Sequence, residues 1–199
     1  MPTPAQGSTR DQLIAAAAQL FSERGVKATS TGEIQRAVGL APGSGALYKH
    51  FSSKDELLEA VVSAYLDRLD AETDEVLDVL PNNLESALPL VAAAVGESMG
   101  RERNTLRLVL RDLEHRPDLV ERVWHSVLVA VPGRFATWVQ RAETAGAARP
   151  GSTDQAVVLM AALMEAHTVR ALVDQDFASV LNGTFEEAWV TTASRALSP

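Results

Sequence analysis

The sequence predicts an all-α protein. Apolar residues recur at helical spacing, helix-capping pairs precede several of the apolar stripes, and alanine and leucine dominate a chain that is 46% hydrophobic but only 5% aromatic. Long β-branched alternation of the kind that builds sheets is rare. At 199 residues the chain can bury a sizeable core, as one large domain or as a small one joined to a medium one. The absence of cysteine excludes disulfides, thiolate nucleophiles and cysteine-ligated zinc, and fits a reducing compartment. Residues 1–10 are polar, with no apolar run of signal-peptide length, and nothing later approaches a membrane span. A soluble, cytoplasmic protein with no membrane partner is therefore expected.

The elements follow in order. Thr9 stands three residues before Gln12, a capping-box spacing, and opens a helix whose stripe Leu13, Ala17, Leu20, Phe21 runs until Gly25. Ser30 and Glu33 repeat the spacing before a short helix with Ile34, Ala37 and Val38 on its buried face, ended by Gly39. Residues 40–44 form a turn rich in breakers, and Leu47 and Phe51, four apart, mark a third short helix. Ser53 and Glu56 open a long helix carrying Leu58, Val61, Val62, Tyr65 and Leu69 inward and ending before Pro81. Further helical periods cover about 84–99, 104–114 and 117–145, the last with a kink or break expected at Pro132-Gly133. After a loop containing Gly146, Pro150 and Gly151 come two final helices, about 153–175 and 184–197. The first of these is apolar on more than one face, including Val157, Val158, Met160, Leu163, Met164, Val169 and Leu172, so it is either a central core helix or one that also meets a symmetry mate.

Charge divides the chain unevenly. Residues 1–54 hold six basic and three acidic side chains, a net +3, so that the overall −8 leaves −11 on the remainder. A basic first quarter on an acidic body suits phosphate neutralisation by one face only.

Residues 28–58 read ATSTGEIQRAVGLAPGSGALYKHFSSKDELL, and in this stretch the sequence resembles the TetR family of bacterial repressors. Thr29, Ser30 and Ile34 match the family's opening of helix two, Gly45, Leu47, Tyr48, His50 and Phe51 its G-x-L-Y-x-H-F recognition helix, and Lys54, Leu57 and Leu58 its K-x-x-L-L signature. Two departures stand out: Ala41 and Pro42 lengthen the turn, and Gln35 replaces the usual alanine. The resemblance implies a helix-turn-helix head at residues 1–54 and a ligand-sensing, dimerising helical body at 55–199. It also implies a homodimer formed through the last two helices, bound to double-stranded operator DNA and released by a small-molecule inducer of apolar or amphipathic character.

By that resemblance Thr29, Ser30, Tyr48 and Lys54 hold phosphates, while Ser44, Lys49 and His50 are candidates for base or phosphate contact. Ser44, Gly45 and Ala46 are small enough to let the backbone approach the major groove closely. Alternatives stay open for each: Thr29 and Ser30 as plain caps, His50 as a packing residue, Tyr48 with its ring buried.

The body carries no motif of comparable specificity. Met99, Trp124, Phe135, Trp138, Met160 and Met164 supply the polarizable surface that lines apolar cavities, with ordinary core packing as the alternative. Glu97, Glu165 and His167 are polar residues in apolar stretches, placed there to orient a ligand, to pair across a dimer or to reach solvent.

Gly96-Glu97-Ser98-Met99-Gly100 satisfies the G-x-S-x-G pattern of α/β-hydrolases, but that motif needs a strand before the serine and Leu90 to Val95 has helical spacing. No catalytic role, cofactor or metal site is expected: Gly43-Ser44-Gly45 is an incomplete nucleotide-binding pattern and the four histidines lack ligand spacing. Asn182-Gly183-Thr184 is a glycosylation sequon without secretory context. The non-enzymatic rivals are an activator of the same fold and a protein acting mainly through protein contacts.

Overall fold

The computed structural model describes residues 7–113, 115–172 and 184–199. The sequon at 182–184 lies largely outside them, as do residues 1–6 and the expected end of the penultimate helix at 173–175. Among the described residues all regular structure is helical.

The N-cap of helix α1 (Thr9–Arg24) lies one residue earlier than expected. Ser8 is the N-cap and forms a reciprocal box with Asp11, whose carboxylate accepts from the Ser8 amide (3.0 Å) and hydroxyl (2.8 Å). Its buried face is Leu13, Ile14, Ala17 and Phe21, and Gly25 ends it at φ 87°. Helix α2 (Thr31–Ala37) starts at the expected Ser30/Glu33 box and buries Ile34 and Gln35. Then comes a single 3-10 turn, Leu47–Lys49, before α3 (Lys54–Val79). With 26 residues, α3 runs roughly 39 Å at 1.5 Å per residue. That length carries it from the head into the body.

The body comprises α4 (Leu84–Arg101), α5 (Arg103–Asp112), α6 (Pro117–His125), α7 (Val131–Thr144), α8 (Thr153–Leu172) and α9 (Thr184–Leu197). The expected break at Pro132-Gly133 takes the form of a π-helical segment, Ser126–Ala130, joining α6 to α7. Proline cannot donate to the preceding turn and crowds it, and a widened turn accommodates both defects without ending the helix. Helix α8 is central, packing against α4, α5, α7 and α9. Its Ala156, Met160, Leu163, Met164 and His167 are buried, whereas Val158 and Val169 are 68% and 44% exposed and share an open stripe with Ala162 and Glu165.

The head does not stand apart. Helix α1 lies against α3 and α5, Lys27 Nζ sits 3.4 Å from His115 Nε2 at the α5–α6 connection, and one hydrophobic core runs from Leu13 to Leu197.

Candidate DNA-binding head and ligand cavity

At the third element of the head, Leu47 and Phe51 are buried in the hydrophobic core, whereas Tyr48, Lys49 and His50 are exposed. Tyr48 is 57% exposed, unusual for so large a ring. The element is shorter than a recognition helix. Gly43 and Gly45 hold φ values of +77° and +69°, and a left-handed residue at Gly45 means that a right-handed helix can start only at Ala46. Tyr48 N then bonds Gly45 O (3.0 Å) and Phe51 N bonds Leu47 O (3.0 Å), which completes little more than one turn. Ser44, Gly45 and Ala46 lie at its start, Ser44 exposed and the other two half-buried.

Gln35, which sequence reasoning noted but gave no role, ties this turn to α2. Its side chain is buried, with 2% of the residue exposed, and its Nε2 donates to Ser44 Oγ (3.3 Å), while its backbone carbonyl accepts from Leu40 N (2.8 Å). The lengthened turn thus folds back over a polar side chain for which the usual alanine would offer no donor.

The residues at the α1–α2 junction divide. Ser30 is exposed at the mouth of α2, engaged in its capping box. Thr29 departs from the expectation of phosphate contact: it is 1% exposed and its hydroxyl bonds the carbonyls of Gly25 (2.9 Å) and Leu20 (3.2 Å). A buried hydroxyl with two internal acceptors is a brace across the end of α1. Lys54 is half-buried, and its ammonium donates to Val26 O (2.8 Å) and Thr29 O (3.1 Å), two of its three donors. A cation that sequence reasoning did not single out, Arg10, lies 5.1 Å over the Phe51 ring.

In the body, a cavity of about 290 Å³ opens between α3, α4, α7 and α8. Met99, Phe135, Met160 and Met164 line it as expected of polarizable residues, joined by Leu69, Val76 and Val91. At its rim Arg101 lies 3.0 Å from Glu72, which also accepts from the Ser98 hydroxyl (2.7 Å). Ser98 sits inside a continuous helix, so the strand-turn-helix that a nucleophile elbow requires is missing at Gly96-Glu97-Ser98-Met99-Gly100.

Four other candidates lie away from the cavity lining. Trp138 is buried behind it, stacked on Phe135 with ring centroids 5.8 Å apart, and Trp124 is half-buried on α6. Glu165 belongs to the exposed stripe of α8. His167 is 8% exposed, with Nε2 3.4 Å from Glu186, which in turn pairs with Arg170 at 2.6 Å. Burial, followed by the Arg170 charge, pushes the His167 imidazole below its ordinary value, against the opposing pull of Glu186. Helix α8 is apolar on both faces, so residue type alone could not tell which side met the cavity. Glu72 and Thr73, by contrast, share a helical face with Leu69 and Val76, a signal that was present but unremarkable on a charged helix.

Comparison with known proteins places this geometry. Residues 13–61 match the model of the bacterial regulatory proteins of the tetR family. Over 93 residues the chain is 39% identical to the HTH-type transcriptional repressor KstR2 of Mycolicibacterium smegmatis, a match spanning 46% of this chain and 44% of that protein. It is 29% identical over 135 residues to the HTH-type transcriptional regulator TcmR of Streptomyces glaucescens, 68% of this chain and 54% of the relative. The matches thus span about half the length of these curated relatives. Among solved structures, a transcriptional regulator from Cytophaga hutchinsonii superposes with a TM-score of 0.72 at 21% identity, covering 95% of this chain and 98% of that one. The ketosteroid transcriptional regulator KstR2 of Mycobacterium tuberculosis gives 0.63 at 19% identity, covering 98% and 97%. At these identities the superpositions establish the fold.

Proposed function

We propose that this chain, whose residues 13–61 match the model of the tetR family of bacterial regulatory proteins, is a transcriptional repressor of that family that binds operator DNA as a homodimer and lets go when a small apolar or amphipathic molecule fills the body cavity. The observation that carries this reading is the course of α3. One unbroken helix begins five residues after the Leu47–Lys49 turn and contributes Leu69, Thr73 and Val76 to the cavity wall. A ligand that wedges α3 away from α4 therefore tilts the head at the other end of the same rod.

Residues 1–54 would serve as the DNA-reading unit and 55–199 as sensor and dimerisation unit. Tyr48, Lys49, His50 and Ser44 offer exposed side chains to the groove, while Thr29 and Lys54 hold the α1–α2 junction that presents them. The exposed stripe of Val158, Ala162 and Val169 on α8, interrupted by Glu165, supports dimerisation through the last two helices, because a mostly apolar stripe left open in one protomer is what an isologous interface covers. Two heads joined in this way must sit about 34 Å apart to enter successive major grooves. Release requires a ligand that favours the wrongly spaced state, since equal affinity for both states shifts nothing.

The reading is tested by binding the purified chain to DNA flanking its own gene, against unrelated competitor. Protection of two symmetric half-sites supports it. Salt-sensitive binding without sequence preference would reduce the head to a basic patch and contradict operator recognition.

A further inference from the structure

Resting on the reading of the α3–α4–α7–α8 cavity as the effector site, we infer that the cavity selects a cationic amphiphile: an apolar body carrying an ammonium or similar positive head. The wall is apolar, with Leu69, Val91, Phe135, Met160 and Met164 facing the space. All three methionines beyond Met1 line it. Flexible thioethers adapt to an alkyl or ring body of varied shape.

The charged residues decide the head. Three carboxylates, Glu72, Glu75 and Glu97, and one guanidinium, Arg101, line the cavity, a formal balance of −2. Arg101 is already committed to Glu72 at 3.0 Å, and Glu72 also holds the Ser98 hydroxyl at 2.7 Å, so this pair is neutral and internally satisfied. Glu75 and Glu97 make no hydrogen bond or ion pair among the described residues. An anionic head entering here meets two uncommitted carboxylates and a cation whose charge Glu72 already neutralises. A cationic head meets the reverse, and a neutral one gains nothing from either. The net −11 on residues 55–199 attracts cations from a distance as well.

The two uncommitted glutamates are exposed, so solvent screens them and the selection is one of degree. The test uses three probes with one alkyl tail and different heads, decyltrimethylammonium, decanol and decanoate. Each is titrated below its micellar concentration into the full chain and followed by calorimetry and by the tryptophan emission to which Trp138 contributes. Decyltrimethylammonium is expected to bind at least about tenfold tighter than decanoate, about 1.4 kcal/mol. That preference should shrink as salt is raised and collapse in a Glu75→Gln, Glu97→Gln double variant whose folding is checked by its thermal transition. The wild-type salt series stands alone should the variant not fold. Decanoate binding as tightly as the cation, or a preference indifferent to salt, overturns the charge selection while leaving the cavity as a site. No binding by any of the three overturns the cavity reading together with this inference.

Discussion

Lys54→Met removes an ammonium while keeping most of its apolar stem. The structure places that ammonium inside the head, on the carbonyls of Val26 and Thr29 at 2.8 and 3.1 Å. A hydrogen bond to a charged group contributes about 1.5–3 kcal/mol. Two such bonds to one turn are not additive, because the freed carbonyls recover water in part, and a combined loss of about 2–4 kcal/mol is expected. At roughly 2–4 °C per kcal/mol for a chain of this size, the transition should fall by about 4–16 °C. Urea and thermal unfolding followed by circular dichroism measure this directly. Operator binding across a salt series then separates the brace from a phosphate contact, since loss of one phosphate contact lowers the slope of log K against log salt by about 1. The account predicts a large stability loss at whatever slope is found. A change below about 0.5 kcal/mol, the ordinary range for a surface substitution, would refute the internal role of Lys54.

Three further substitutions probe the head. Gln35→Ala deletes a buried neutral hydrogen bond and leaves a small void beneath the lengthened turn, so a loss of about 1–3 kcal/mol and weaker DNA binding are expected; an unchanged unfolding midpoint would mean that the turn holds itself. Gly45→Ala meets no atom within 4 Å, so its cost is backbone strain alone, about 1–2 kcal/mol for a left-handed residue with a Cβ, and full stability in this variant would contradict the left-handed placement. The Ser30 amide and hydroxyl hold the Glu33 carboxyl below its ordinary value. A depressed folded value stabilises the protein fully above the ordinary glutamate range, and that contribution is lost as pH falls through the folded value. Glu33→Gln should therefore lower stability at neutral pH and flatten the acid limb of the stability profile; superimposable profiles would contradict the capping box.

The sequence was most legible where chemistry is local. Ser30 with Glu33, and Ser53 at the mouth of α3, announce helix starts through contacts three residues apart, and the structure contains them. At α1 the signal was present but ambiguous: Thr9 with Gln12 and Ser8 with Asp11 both satisfy the spacing, and the charged carboxylate takes the cap because it accepts more strongly than an amide. What stayed hidden depends on contacts distant in sequence. Thr29 reads as a surface residue at a helix entry until α1 ends against it, and Lys54 reads as a free cation until carbonyls 28 and 25 residues earlier arrive at its tip. In the body, Met99, Phe135, Met160 and Met164 reach the cavity, whereas Trp124, Trp138, Glu165 and His167 do not. Side-chain type does not encode which face of an all-round apolar helix meets the void.

The most direct test of the central claim is selection of fragments of the source genome by the purified full-length chain, followed by footprinting of the enriched DNA with wild-type protein and with Tyr48→Phe, which loses only the exposed hydroxyl. The account predicts enrichment of fragments bearing two inverted half-sites about one helical turn apart, protected by two chains and bound more weakly by the variant. Failure to enrich any sequence over bulk DNA across the whole genome would contradict it and leave a helical protein that works through protein contacts.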